Sequence, residues 1–150
     1  MDFLERMERA VAYVEAHLAE DFAYADAAAH LGCGAYQFSQ VFACVAGVPL
    51  AAYIRMRRLS RAALALHSGG VRVIDAALEG GYESPEAFAR AFRQFHGVSP
   101  REACVPGVPM KLYPRLCLHT TVKGGRNHGL SLRDDGRDPR GGQGVRPGPL

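Results

Sequence analysis

Signatures of catalysis and metal binding are missing from this chain. Its four cysteines, Cys33, Cys44, Cys104 and Cys117, are irregularly scattered and no two have the spacing of zinc ligands, so they read as reduced packing or surface thiols. The six histidines show no H-E-x-x-H or other paired spacing, and neither a G-x-S-x-G elbow nor a phosphate-binding glycine loop occurs. Nothing therefore supports an enzyme, and no cofactor or metal is expected. The opening segment "FLERMERAVAYVEAHL" is too short, too charged and too evenly periodic for a signal peptide or a membrane span. It predicts a cytoplasmic protein with no membrane partner. Its Phe3, Met7, Ala10, Val11, Val14 and Leu18 fall instead on one face of an amphipathic helix.

Acidic residues are absent over a long interval. None occurs between Asp26 and Asp75, while Arg55, Arg57, Arg58, Arg61 and Arg72 all fall there. The modest net charge of +3 hides this polarity. Residues 1–31 hold two basic and seven acidic side chains, residues 32–104 eight and five, and residues 105–150 eight and three. A basic middle and end form an electrostatic footprint for a polyanion. The competing reading is that these arginines only solubilise a helix.

What is present is a pattern that occurs twice. In "GGYESPEAFARAFRQFHGVSP", Ser84 can cap a helix, Pro85 suits its first position, Glu86 favours its first turn and Gly97 stops it. Phe88, Phe92 and Phe95 recur at i, i+4 and i+7, one apolar stripe that must face a core. Glu86, Arg90 and Arg93 lie opposite, with small Ala89 beside them. Fifty positions earlier, "LGCGAYQFSQVFACVAGVP" repeats Phe38, Phe42, Gly47 and Val48, and it buries Val45 while exposing Tyr36, Ser39 and Gln40 with Ala43. The pairs Leu31-Gly32 and Gly80-Gly81 supply the break before each helix. A short helix, a glycine turn and a second helix with a polar outer face is the helix-turn-helix arrangement, here duplicated.

The span from about Asp21 to Ala103 resembles the DNA-binding domain of AraC/XylS-type transcription regulators. "ALEGGYESPEAFARAFRQFHGVSPREA" is similar to that family's signature, and "FSQVF" and "GVPLAAYIRMRRLSRAALAL" to its first recognition helix and linker. The resemblance implies that Tyr36, Ser39 and Gln40 contact bases or backbone in the first unit, and Pro85, Glu86, Ala89 and Arg90 in the second. The helical wheel adds Arg93. It further implies a sequence-specific regulator of transcription, an activator by expectation, bound as a monomer to double-stranded DNA across two successive major grooves, with RNA polymerase as a possible second partner. A helical interaction module or decoy that never reads DNA is the alternative. Arg58 matches a recurrent arginine of the family that packs or pairs internally. Two departures stand out. Gly34 replaces the usual Ser or Thr cap, a loss of a few tenths of a kcal/mol. Ala76 stands where the family has a large aliphatic residue, a deficit of roughly 2 to 5 kcal/mol unless neighbours refill the space.

The expected fold is all-α: two helix-turn-helix subdomains joined by a long linker helix, with a short strand and a disordered C-terminal tail. Residues 1–104 form the DNA-binding domain, with the first helix-turn-helix at 23–47, the linker helix at 49–68 and the second helix-turn-helix at 72–97. Residues 105–123 turn proline-spaced and then alternate Leu116, Leu118, Thr120 and Val122 with Cys117, His119 and Thr121, as a strand does. This resembles the linker and first strand of the gyrase-inhibitor-like effector domain found in Rob-like members of the family. Residues 124–150, rich in Gly, Arg and Pro and without an aromatic residue, are expected to be disordered. Either a frameshift or truncation near Gly124 ended the sensor, or the segment is a natural basic tail.

Overall fold

The first helix begins at a cap. In the computed structural model of the chain, which describes residues 1–120 and 130–133, the Asp2 carboxylate accepts the Glu5 N–H at 2.9 Å and opens α1 (Phe3–Ala16). Met7, Ala10, Val11 and Val14 are fully buried along one face, and Leu18 is buried just past the helix end. Phe3, expected on that stripe, is exposed in the first turn, one turn outside the buried part.

Helices α2 (Tyr24–Ala29), α3 (Ala35–Ala46), α4 (Leu50–Ser68), α5 (Val73–Glu79), α6 (Pro85–His96) and α7 (Pro100–Ala103) follow, then β1 (Cys117–Thr120) and β2 (Leu130–Arg133). Helices α2 and α3 lie within residues 23–47, α4 within 49–68, and α5 and α6 within 72–97. Two units emerge, divided within α4: the first contains residues 1–54, 115–120 and 130–133 among those described, the second residues 55–114.

In the first unit Ala27 and Ala28 of α2 and Phe38 and Phe42 of α3 are buried. Phe38 and Phe42 meet edge to face at 6.0 Å, and Tyr53 places its ring on Phe42 at 5.1 Å. Val45, expected in this core, is only half-buried, and Ala46 takes the inward place. The turn depends on Gly32 at φ +78°, a conformation that disfavours a side chain.

The second unit repeats this plan. Ala76 and Ala77 of α5, and Phe88 and Phe92 of α6, are buried with Leu59, Ala63 and Leu66 of α4 and Ala103 of α7. Paired turn bonds fix the alignment: Cys33 N–H donates to Ala28 O as Tyr82 N–H does to Ala77 O, and Gly32 N–H to Ala29 O as Gly81 N–H does to Leu78 O. The turns therefore align at a displacement of forty-nine while the recognition helices align at fifty, which makes Glu83 an extra residue of the second turn. On this alignment the small Ala76 corresponds to an equally small Ala27. Tyr82, half-buried, lays its ring on Phe88 at 5.4 Å, and Met110 and Leu112 pack on the same core. These side chains add bulk to the core that Ala76 shares.

Phe95, expected as the third core phenylalanine, is only partly buried, and His96 is buried instead at 4 % exposure. The reason is helical geometry: i+4 from Phe92 points more squarely at the core than i+3 does in the last turn. His96 rests on Phe92 at 4.3 Å and meets Phe95 at 4.8 Å.

After α7 the chain runs without regular structure to β1, and its backbone is tied down by side chains. Arg57 donates to Tyr113 O at 2.7 Å, and Ser60 Oγ accepts the Tyr113 N–H at 2.7 Å. In the first unit the Tyr53 hydroxyl donates to Glu15 at 2.7 Å and accepts the Leu116 N–H at 3.0 Å, and Glu8 accepts the Leu118 N–H at 2.8 Å. Residues 105–123, expected as a linker and the first strand of an effector domain, are thus fastened to the helical units as far as Leu118. The expected strand is present as β1, and it pairs antiparallel with β2, Cys117 opposite Arg133 and Thr120 opposite Leu130. Within the segment expected to be disordered, Leu130–Arg133 thus forms a short strand, in which Leu130 and Leu132 alternate with Ser131 and Arg133 along the sequence. The rest of that segment, and Val122 of the expected strand, lie outside the described residues.

Candidate nucleic-acid interface

The two helices that carry the candidate residues are held by caps at both ends. Ser84 accepts the Ala87 N–H at 3.1 Å and Pro85 occupies the first position of α6, while Gly97 at φ +84° ends it. Gly47 at φ +80° ends α3 in the same way. Gly34 offers no side chain to cap α3, but Gln37 Oε1 reaches back to the Gly34 N–H at 3.1 Å. Half of a capping box therefore survives without the Ser or Thr. Gln37 was not singled out as a cap in the sequence because glycine hides the motif.

With Phe38 and Phe42 inward, α3 turns Tyr36 and Gln40 to solvent and leaves Ser39 and Ala43 half-buried between them. With Phe88 and Phe92 inward, α6 exposes Pro85, Glu86, Arg90 and Arg93 and leaves Ala89 half-buried. Position by position, Tyr36 corresponds to Glu86, Ser39 to Ala89, Gln40 to Arg90 and Ala43 to Arg93, and the exposure classes of the first three pairs agree. Tyr36 is 76 % exposed, a large ring held outward with no core to fill. Within each unit the candidate residues therefore share one outward sector of one helix.

Arg93 differs from the other candidates in having a neighbour. Its guanidinium lies 3.8 Å from the Glu102 carboxylate, both side chains being well exposed, a loose pair worth little. Glu102 is engaged elsewhere as well, accepting the Ser99 N–H at 2.7 Å while Ser99 accepts the Glu102 N–H at 3.1 Å. That N–H bond, chiefly, holds the Glu102 carboxyl below the usual carboxylate range. Side chains of Glu86, Arg90, Tyr36 and Gln40 make no hydrogen bond or ion pair among the described residues.

The arginines that drew attention by composition divide by role. Arg57 is half-buried on Tyr113 O, and Arg72 pairs with Asp75 through two contacts of 2.9 and 3.3 Å. Arg58 is half-buried beside the turn glycine Gly81, and the charges of Arg55 and Arg58 oppose the rise that burial causes in the Tyr82 phenol pKa. Arg55 and Arg61 are exposed on α4. Among the described residues no group of His, Cys, Asp and Glu could hold a metal ion, and no single helix is long and apolar enough to cross a membrane.

Comparison with known proteins agrees with this geometry. A helix-turn-helix domain family matches residues 27–103. The HTH-type transcriptional activator AarP of Providencia stuartii is 35% identical over 88 residues, which make up 59% of this chain and 65% of that protein. The right origin-binding protein of Escherichia coli (strain K12) is 33% identical over 88 residues, 59% of this chain and 30% of that protein. The chain thus spans less than two thirds of the length of these relatives. Among solved structures, an AraC-type DNA-binding-domain regulator from Chromobacterium violaceum superposes with TM-score 0.60 at 25% identity, over 67% of this chain and 89% of that one. The DNA-binding domain of AdpA, in complex with a target DNA, does so with TM-score 0.56 at 26% identity, over 65% and 87%. Two helix-turn-helix units matched over half the chain, and these likenesses, place the protein in the AraC-type helix-turn-helix family.

Proposed function

We propose that the chain is a sequence-specific, DNA-binding regulator of transcription that inserts α3 and α6 into two successive major grooves of double-stranded DNA. The observation that carries this reading is the repeated outward sector: two helices, each anchored by a buried phenylalanine pair, present polar side chains at corresponding positions, and those of Tyr36, Gln40, Glu86 and Arg90 are engaged by no other part of the described chain. Tyr36, Ser39 and Gln40 would serve the first groove, and Pro85, Glu86, Ala89, Arg90 and Arg93 the second. Two unlike recognition helices fit an asymmetric site and binding as a monomer. Activation is the direction suggested by the activator AarP, and RNA polymerase is the second partner that such a role would call for. Action on cellular DNA would take place in the cytoplasm.

Salt dependence tests the reading. Affinity for duplex DNA should fall with salt, log K dropping by roughly 0.9 per phosphate contact for each decade of salt concentration. Binding that ignores salt, or no binding to any duplex, would favour a module that touches only other proteins.

A further inference from the structure

Neither recognition helix contains an acid other than Glu86. It sits at the N-terminal end of α6, exposed, in the first turn, where the helix N-terminus favours a negative charge. That local benefit does not need a side chain in the groove-facing sector, and an acid there repels every phosphate it approaches. Arg90, one turn on, is close enough along the helix to form an i,i+4 ion pair, yet the two side chains do not pair. The corresponding position of α3 holds Tyr36, which carries no charge.

We infer that Glu86 is a specificity determinant that rejects DNA in general and accepts a cytosine amino group at one position of the site, with Arg90 on a guanine one or two steps away. The inference rests on the DNA-reading proposed above. In the major groove the cytosine amino group is a donor that a carboxylate can accept, and guanine offers O6 and N7 to a guanidinium fork. One helical turn advances about 5.4 Å against about 3.4 Å per base, which sets the one or two steps. A carboxylate without that donor is left desolvated beside phosphates. Wrong sites are therefore penalised more than the right one is rewarded.

The test compares the parent with Glu86→Ala, using the site selected by the parent from random duplexes, its single-base variants and an unrelated duplex. Thermal unfolding of both proteins checks the fold. The variant should bind the unrelated duplex about threefold more tightly at low salt, the size of one unit-charge repulsion at roughly 7 Å in water. It should also lose most of the discrimination, about tenfold in the parent, at a single cytosine position. Weaker or unchanged binding to the unrelated duplex, with discrimination intact, would overturn the inference while leaving DNA-reading in place. A parent that binds no duplex in a salt-dependent way would overturn both. Glu86→Gln, which keeps a similar side chain without the charge, should show the same gain on unrelated DNA, and its failure to do so would count against the charge.

Discussion

At the scale of single residues, inward and outward positions two residues apart on α6 do different work. Phe92 is fully buried between the rings of Phe88 and His96, so Phe92→Ala should cost about 3 to 5 kcal/mol in an unfolding titration, and DNA binding should fail with the fold. Arg90→Ala should change stability by no more than about 0.5 kcal/mol. It should weaken binding to the selected site by about 1 to 3 kcal/mol if the guanidinium reads guanine. His96 adds a dependence on pH. Its Nδ1 faces Lys111 O and its Nε2 faces Leu59 O at 2.9 Å, so a neutral ring donates to only one of the two carbonyls. Burial against Phe92 and Phe95 nevertheless holds its pKa below the ordinary histidine value, outweighing the two carbonyls, which pull upward; the Lys111 charge also lowers it. An unfolded chain then binds the proton more readily than the folded one. The stability His96 contributes is present above about pH 6.5 and is lost as pH falls through the lower folded value. Unfolding midpoints measured from pH 7.5 down to 5 should show this loss, and His96→Phe should flatten it.

Elements show how much of the fold was written in the sequence. Period and punctuation were legible: the phenylalanine spacings, Ser84-Pro85, Gly47 and Gly97 located α3 and α6 within a residue or two of their ends. Exchange of bulk between the units was not legible, because it depends on tertiary neighbours. Small Ala46 goes with large Tyr53 in the first unit, and large His96 goes with small Ala103 at the corresponding places in the second. Either way one ring rests on the second phenylalanine, and its polar tip bonds the segment that leads to β1. The polar faces of α3 and α6 were readable from the helical wheel. The engagement of Arg57 with Tyr113, far off in sequence, was not. Caps supply the element-scale prediction. Gly34→Ser, at an extended backbone where a Cβ meets only Gln37 Oε1 at 3.8 Å, should raise stability by a few tenths of a kcal/mol. Gly97→Ala, at φ +84°, should lower it by about 1 to 2 kcal/mol. Denaturant midpoints of the two variants should move in opposite directions.

For the whole molecule, the charge divided along the chain, the duplicated helix-turn-helix and the membership of the AraC-type family all support the proposed reading of polyanionic DNA. The β1–β2 pair belongs to this scale too. Ending the chain after Lys123 removes β2, yet Leu116 and Leu118 keep their anchors on Tyr53 and Glu8. Unfolding should remain cooperative, and site preference should be retained. The central claim, that the outward sectors of α3 and α6 read one asymmetric site, meets its most direct test in selecting bound duplexes from a random pool with the parent, Gln40→Ala and Arg90→Ala. The account predicts a non-palindromic site near 20 base pairs, two helical turns of about 10 each, in which each substitution relaxes preference in a different half. A palindromic site that requires a protein dimer, or substitutions that leave both halves unchanged, would contradict it.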